Sequence, residues 1–170
     1  KKIVNKTDFV IGISASGSAK FVLGALEYCH KLNINTCLLT FNKINKNIFA
    51  NHQINVLVGP EVISGSTRMK AGTATKMILN MISTCSMIKL NKTYGNLMVD
   101  LKISNLKLLD RGIRIIETIT GLSYKEASKL LTSANNNVKA AIVMNFKDVS
   151  YKKAVKILND KNGHLRSIIE

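Results

Sequence analysis

The chain contains no tryptophan, and aromatic residues make up only 5% of its 170 positions. Proteins that bind single-stranded nucleic acids stack the bases on aromatic side chains, and this chain has few of them. Its formal net charge of +15 would suit a polyanion, but the lysines are spread over every segment of the sequence. Nucleic-acid binding usually needs basic residues gathered on one face. A nucleic-acid-binding module is therefore only a minor alternative.

Long apolar runs are also absent. No stretch reaches the roughly 20 residues of a membrane span, and no signal peptide with a basic start and an apolar centre is visible. Cys29, Cys37 and Cys85 are widely spaced, without metal-ligand spacing, and each lies in an apolar segment. This pattern favours buried free thiols in a reducing compartment. It predicts a cytoplasmic protein. The lack of a membrane span and of metal-ligand spacing predicts that neither a membrane nor a metal takes part, and no cofactor is expected.

Groups for acid–base chemistry are scarce, because ten carboxylates stand against 25 lysines and arginines. Most of the acidic residues fall on amphipathic helical faces. His30, His52 and His164 lie in a predicted helix end, a loop and the C-terminal tail, without the pattern of a nucleophile or metal site. A reaction that requires a paired general acid and general base finds few candidates here.

The first half of the chain alternates between strand and helix patterns. The apolar run at 9–13 ends in a Ser/Gly loop, which is typical of a buried parallel strand, and further strands are predicted at 36–41 and 54–58. The helix between the first two strands is expected to be capped by Ser16 or Ser18. This βαβ order predicts an α/β fold with a parallel sheet and helices in three layers. Its helix should pack with the face formed by Phe21, Val22, Ala25, Leu26 and Cys29.

A long helix is predicted from about 67 to 90, and a second one from about 104 to 120, closed by Gly121. Apolar residues recur along the long helix at helical spacing, and we expect this stripe to be buried in the core. The stripe consists of Met69, Ala74, Met77, Ile78, Met81, Ile82, Cys85 and Ile88.

From Ser123 onward, short amphipathic helices are predicted at 124–134, 138–145 and 151–159. Ser123 and Glu126 have the spacing of a capping box. Three short helices in about fifty residues resemble a small three-helix bundle of the ubiquitin-associated type. We therefore divide the chain into a sheet domain at 1–120 and a helical region at 121–170.

The most informative segment is 59–76, GPEVISGSTRMKAGTATK, a Gly- and hydroxyl-rich loop that leads into the long helix. Ser64, Ser66 and Thr67 are good N-cap residues, and free N–H groups at a helix start attract anions. Arg68 and Lys70 add positive charge where a phosphate or carboxylate would lie. Two interpretations stay open: a loop for a small anionic ligand, or an ordinary capped helix with solvated basic residues.

The amino-acid sequence of this segment resembles that of the N-acetylmuramic acid 6-phosphate etherase family. The motifs at 12–17 (GISASG), 23–28 (LGALEY), 92–100 (KTYGNLMVD) and 138–144 (VKAAIVM) share the resemblance, which runs from about Asp8 to the C-terminus. Members of this family are sugar-isomerase-type (SIS) domain proteins, related to the glucokinase regulatory protein. The resemblance implies a partial SIS sheet domain followed by the helical region.

The resemblance also implies a substrate site at the carboxyl ends of the parallel strands, where open α/β sheets place their ligands. Ser14, Ser16, Gly17 and Ser18 would contact the sugar phosphate. The chain departs from the family here, because Ser18 and Ala19 stand where an arginine and a hydroxyl residue are more usual. Lys20 is a possible replacement for the lost charge. The second loop adds the other candidate contacts, which are Glu61, Ser64, Ser66, Thr67 and Lys70.

For Glu61, three roles stay open: accepting hydrogen bonds from sugar hydroxyls, ordering its own loop, or acting as an acid or base. In the family, both catalytic glutamates lie upstream of the matched segment, and neither Glu61 nor Glu27 matches them. The resemblance therefore predicts no catalytic residue in this chain. We interpret the chain as the C-terminal part of an etherase, and expect 9–13 and 54–58 to pair in one sheet with an exposed edge.

By resemblance, the parent enzyme is a homodimeric lyase that cleaves the D-lactyl ether of N-acetylmuramic acid 6-phosphate. Its products are N-acetylglucosamine 6-phosphate and D-lactate, formed during cell-wall sugar recycling. The partner of this chain would then be a phosphorylated amino sugar. The alternative is a non-catalytic sugar-phosphate-binding regulator, which the absence of the acid–base glutamates favours.

Overall fold

The computed structural model describes residues 3–44 and 49–170. Three parallel strands form a sheet in the order β1-β2-β3, with β1 at Phe9–Ile13, β2 at Asn35–Thr40 and β3 at His52–Asn55. The predicted α/β class and the parallel sheet are thereby confirmed. Residues 45–48, which belong to the predicted polar loop before β3, lie outside the described residues.

The middle strand, β2, forms the core of the sheet. Cys37, Leu38 and Leu39 are at most 3% exposed, since β1 and β3 flank this strand on both sides. The third strand begins two residues earlier than the apolar run at 54–58 predicts. The Asn51 side chain accepts hydrogen bonds from the backbone N–H and the hydroxyl of Thr36, both at 2.9 Å. These polar contacts at the start of β3 are not visible in a hydrophobic pattern.

Helix α1 (Lys20–Lys31) packs against β1 and β2 and buries Leu26 and Cys29. The predicted serine cap is wrong, because Ala19 occupies the N-cap position and no side chain caps the helix. The Ser14 hydroxyl accepts a hydrogen bond from the Ala19 N–H instead, at 3.3 Å. Phe21 was expected on the packed face but is 89% exposed. It lies in the first turn of α1 and is not covered there.

Helix α2 (Lys70–Lys89) follows the second loop. The prediction of a buried apolar stripe is wrong for most of its members, because only Ala71 and Ile78 are buried on this helix. Met77, Met81 and Ile88 are each more than half exposed. Helical spacing shows that side chains share a face, but it does not show that a neighbouring element covers that face. Cys85 is also exposed, in contrast to the buried thiols of Cys29 and Cys37.

The chain divides into two compact units, residues 1–80 and 81–170, so that the boundary falls within α2. After the end of α2, the second unit contains an antiparallel hairpin that the sequence patterns did not predict, formed by β4 (Thr93–Tyr94) and β5 (Leu97–Met98). Five helices follow: α3 (Leu106–Thr120), α4 (Tyr124–Ser133), α5 (Val138–Lys147), α6 (Tyr151–Asp160) and α7 (Arg166–Ile169). The three predicted short helices correspond to α4, α5 and α6.

The predicted helix ends in this unit are confirmed. Gly121 adopts a left-handed conformation with φ of 75° and closes α3. The Ser123 hydroxyl accepts from the Glu126 N–H, and the Glu126 carboxylate accepts from the Ser123 N–H, which completes the capping box before α4. Helix α3 packs against both α4 and α5. The division of the chain into domains at residue 120 stays a prediction.

Candidate functional site

The loop after β1 is held together by its own hydroxyl groups. The Ser16 and Ser18 hydroxyl oxygens lie 2.8 Å apart, and the Gly17 N–H donates to the Ser14 carbonyl at 3.0 Å. Ser14 is only 5% exposed, and its hydroxyl accepts from the Ala19 N–H. Ser14 was predicted to contact the phosphate, and in the structure its hydroxyl stabilises the loop through the bond to Ala19.

Gly17 is required by the geometry of the same loop. Its φ of +72° is a conformation that residues with a Cβ rarely adopt. A Cβ added at this position would lie 2.5 Å from Cδ1 of Ile44 and 3.0 Å from the Thr40 hydroxyl oxygen. The loop therefore turns back closely over the end of β2.

The second loop is organised by Glu61. Its two carboxylate oxygens accept hydrogen bonds from the backbone N–H groups of Lys70 and Ala71, each at 3.0 Å. These bonds lower the pKa of Glu61, the Ala71 N–H contributing most. Of the roles that the sequence left open for Glu61, the structure shows the ordering of its own loop. Two N–H groups at the start of α2 are thus already bonded to an anion of the chain itself.

The remaining candidates of the second loop are placed differently. The Lys70 amine donates to the Pro60 carbonyl at 2.7 Å, so it closes the loop on itself. The Ser66 N–H donates to the Ile63 carbonyl at 3.0 Å, and Ser64 is exposed. Because α2 begins at Lys70, Ser64, Ser66 and Thr67 all lie before its first turn. The start of the helix is held by a carboxylate, where the sequence had predicted a hydroxyl cap.

An open cavity of about 540 Å³ lies at the carboxyl ends of the parallel strands. This is the edge at which open α/β sheets bind their ligands. Ser16, Glu61 and Thr67 line the cavity, so the structure brings the two predicted loops together there. The other predicted residues do not line it, namely Ser14, Gly17, Ser18, Ser64, Ser66 and Lys70.

The cavity has residues that the sequence analysis missed. The three residues that directly follow β2 are part of its lining, namely Phe41, Asn42 and Lys43. The sequence motifs pointed only to the loops after the first and third strands. The same rule, applied to every parallel strand, would have included the segment after β2. An Asn-Lys pair at a strand end is the signal that would have identified these residues.

A polar cluster lies in the second unit around the buried Lys139. Its amine donates to the carbonyl oxygens of Asn91 and Gly163, at 2.6 and 3.0 Å, and lies 3.9 Å from the Asp100 carboxylate. Burial lowers the pKa of Lys139, whereas the charge of Asp100 raises it. The amine thus interacts with three separate chain segments, at Asn91, Asp100 and Gly163, which indicates a structural role. A cavity of about 270 Å³ adjoins it.

Two further features concern the described part of the chain as a whole. In residues 3–44 and 49–170, no cluster of histidine, cysteine, aspartate or glutamate has the composition to hold a metal ion. Within the same residues, no helix combines the length and the apolar character that crossing a membrane requires.

The sheet and its cavity define the class: an open α/β protein with a ligand-sized cavity at the carboxyl ends of its parallel strands. Bacterial N-acetylmuramic acid 6-phosphate etherases are similar to this chain over most of its length. The chain is similar to the N-acetylmuramic acid 6-phosphate etherase family over more than four-fifths of its length, and its match to a C-terminal lid domain corresponds to a C-terminal portion of such a protein.

The relatives give the extent of this similarity. N-acetylmuramic acid 6-phosphate etherase 1 of Bacillus licheniformis is 56% identical over 143 residues, which is 83% of this chain and 47% of the relative. The etherase of Clostridium acetobutylicum is 54% identical over 140 residues, 81% of this chain and 46% of the relative. That of Bacillus subtilis is 51% identical over 144 residues, 83% of this chain and 47% of the relative. The chain thus spans about half the length of these relatives.

A family model also matches part of the second unit. Residues 95–162 match the C-terminal lid domain of glucokinase regulatory protein. This range includes β5 and the four helices from α3 to α6. The similarity noted from the motifs at 92–100 and 138–144 is therefore confirmed.

Proposed function

We propose that this chain is the C-terminal part of a lyase that acts on N-acetylmuramic acid 6-phosphate. The reaction breaks the ether bond between the sugar and its D-lactyl group and, with the addition of water, gives N-acetylglucosamine 6-phosphate and D-lactate. The observation that carries this proposal is an identity of about 50% to etherases over more than four-fifths of the chain. We also propose that the protein acts in amino-sugar catabolism in the cytoplasm and that it forms a homodimer.

In this proposal the chain contributes to substrate binding, and the acid–base groups come from polypeptide outside it. Glu61 is the one carboxylate among the described residues that line the cavity. The reaction needs one group to remove a proton and another to protonate the departing lactate oxygen. A single carboxylate whose pKa is lowered by two backbone N–H groups stays ionised near neutral pH and is a poor proton donor.

A sugar-phosphate-binding regulator is the second candidate. The match of residues 95–162 to the lid domain of glucokinase regulatory protein favours it, as does the lack of a second carboxylate among the described lining residues. Such a protein binds a sugar phosphate without converting it. Both candidates therefore predict binding, and they differ in whether the assembled protein turns the ligand over.

The test uses N-acetylmuramic acid 6-phosphate with the purified chain, and measures D-lactate release and the melting temperature. We expect the ligand to raise the melting temperature, because it binds the folded state, while D-lactate stays at background. Release by the chain alone would contradict the assignment of the acid–base groups to another segment. An unchanged melting temperature at millimolar ligand would contradict the sugar-phosphate site itself. N-acetylglucosamine without phosphate serves as the control ligand.

A further inference from the structure

Lys43 is the one basic side chain among the described residues that line the cavity at the strand ends. It follows β2, and its backbone N–H donates to the Asn42 side-chain oxygen at 2.9 Å. In the described part of the chain, no carboxylate forms an ion pair with the Lys43 amine. The charge is therefore available to a ligand.

Three other cations lie in or beside the two loops, and none of them is among the described residues that line the cavity. The Lys70 amine donates to the Pro60 carbonyl, and neither Lys20 nor Arg68 is among the described lining residues. The sequence had suggested Lys20 as a replacement for the arginine that the family more often has at the position of Ser18. Lys20 is the first residue of α1, whereas Lys43 lies on the cavity itself.

The order of the strands arranges the polar groups across the cavity. Ser16 follows β1, Lys43 follows the middle strand β2, and Glu61 follows β3. Neighbouring strands lie about 4.8 Å apart, so the loops after β1 and β3 are separated by roughly 10 Å. An anionic group is attracted to the side of Ser16 and Lys43 and repelled from Glu61. Hydroxyl and amide donors of the same ligand suit the Glu61 side.

We propose that Lys43 is the specificity-determining cation of this site and that its amine binds the phosphate group of an amino sugar phosphate. This inference rests on the proposed function, which supplies the class of ligand. It assigns to the segment after β2 the charge that the loop after β1 lacks in this chain. An amine that contacts a phosphate makes a charge-assisted hydrogen bond, which is roughly twice as strong as a neutral one.

The experiment compares N-acetylglucosamine 6-phosphate with N-acetylglucosamine in calorimetric titrations of four proteins. We expect the wild type to prefer the phosphorylated sugar. Lys43→Gln should weaken its binding by about ten-fold, as expected when a charge-assisted contact is lost, and leave the unphosphorylated sugar unaffected. Lys43→Arg should keep most of the preference. Lys20→Gln is the matched control and should bind both sugars as the wild type does.

The outcomes separate the two proposals. A wild type with no preference for the phosphorylated sugar would overturn the proposed function and the role of Lys43 with it. A wild-type preference that survives in Lys43→Gln would overturn the role of Lys43 alone. Equal losses in Lys43→Gln and Lys20→Gln would also overturn it, because they would show general attraction by surface charge. Melting curves of each variant confirm that the substitution leaves the fold intact.

Discussion

At the scale of single residues, Glu61 shows how a side chain can serve the fold at a position that the sequence marks for a ligand. The segment 59–76 predicted free N–H groups at a helix start, with cations beside them. In the structure, the Glu61 carboxylate bonds to two of these N–H groups, and the Lys70 amine bonds to the Pro60 carbonyl. The loop is thereby preorganised without a ligand, and Thr67 is the hydroxyl residue of this loop that lines the cavity.

The first prediction concerns Glu61→Gln. Because two backbone N–H groups lower the pKa of Glu61, its contribution to stability is present above the ordinary pKa of a glutamate. The contribution disappears as the pH falls through the lowered pKa. We expect the melting temperature of Glu61→Gln to lie below that of the wild type at neutral pH, and the difference to vanish in acid. Glu27→Gln, which removes only an exposed ion pair with Lys31, should change little. A difference that persists at pH 2 would contradict this explanation.

The second prediction concerns the buried Lys139. Lys139→Met keeps the apolar stem but leaves the carbonyl oxygens of Asn91 and Gly163 without their donor. Loss of a buried charge-assisted donor costs about 2–3 kcal/mol of unfolding free energy. Urea denaturation measures this change, and Lys147→Met on the exposed side of the same helix should change the free energy by less than about 0.5 kcal/mol. Equal effects of the two substitutions would contradict the structural role of Lys139.

At the scale of elements, the third prediction compares two glycines on either side of the start of α1. Gly17→Ala places a Cβ in a left-handed backbone conformation and against Ile44, so it should cost at least about 1–2 kcal/mol. Gly24→Ala lies inside α1 with no atom within 4 Å of the added Cβ, and should stabilise by about 0.5–1 kcal/mol. Thermal or urea unfolding of both variants checks the opposite signs. A stabilised Gly17→Ala would show that the loop after β1 is not held in this conformation.

The helices and strands also show which structural features the sequence patterns can predict. Local signals predicted β1, the capping box before α4 and the glycine that closes α3, because each depends on residues a few positions apart. The prediction that the apolar stripe of α2 is buried was wrong, since burial depends on which element packs against a helix. The start of β3 was missed because the contact between Asn51 and Thr36 joins residues fifteen positions apart. The location of the cavity at the strand ends was predicted, but its lining residues Asn42 and Lys43 were not.

At the scale of the whole molecule, the two edges of the sheet differ in chemistry. The edge strand β3 is polar, with the sequence HQIN, and suits contact with water. The other edge strand, β1, reads FVIGI, and its residues Phe9 and Ile13 are 52% and 38% exposed. The strands β1 and β3 lie in one sheet, but the predicted pairing between them is wrong, because β2 lies between them. No described strand pairs with the outer edge of β1. An apolar edge without charge or proline favours the addition of another strand.

The last prediction combines this edge with the length of the relatives. On the basis of the proposed function, we expect the N-terminal half of the Bacillus subtilis etherase to bind this chain along the outer edge of β1, and the two together to release D-lactate from N-acetylmuramic acid 6-phosphate. Backbone N–H groups of β1 should then exchange with deuterium at least about ten-fold more slowly, since opening them would require dissociation of the added strand, while those at the outer edge of β3 stay unchanged. Phe9→Lys should prevent both effects, because a charge on an edge strand opposes further pairing. Gln53→Lys on β3 is the matched control and should prevent neither. Binding that leaves exchange in β1 unaltered, or is blocked equally by both lysine variants, would show that the two halves associate through another surface.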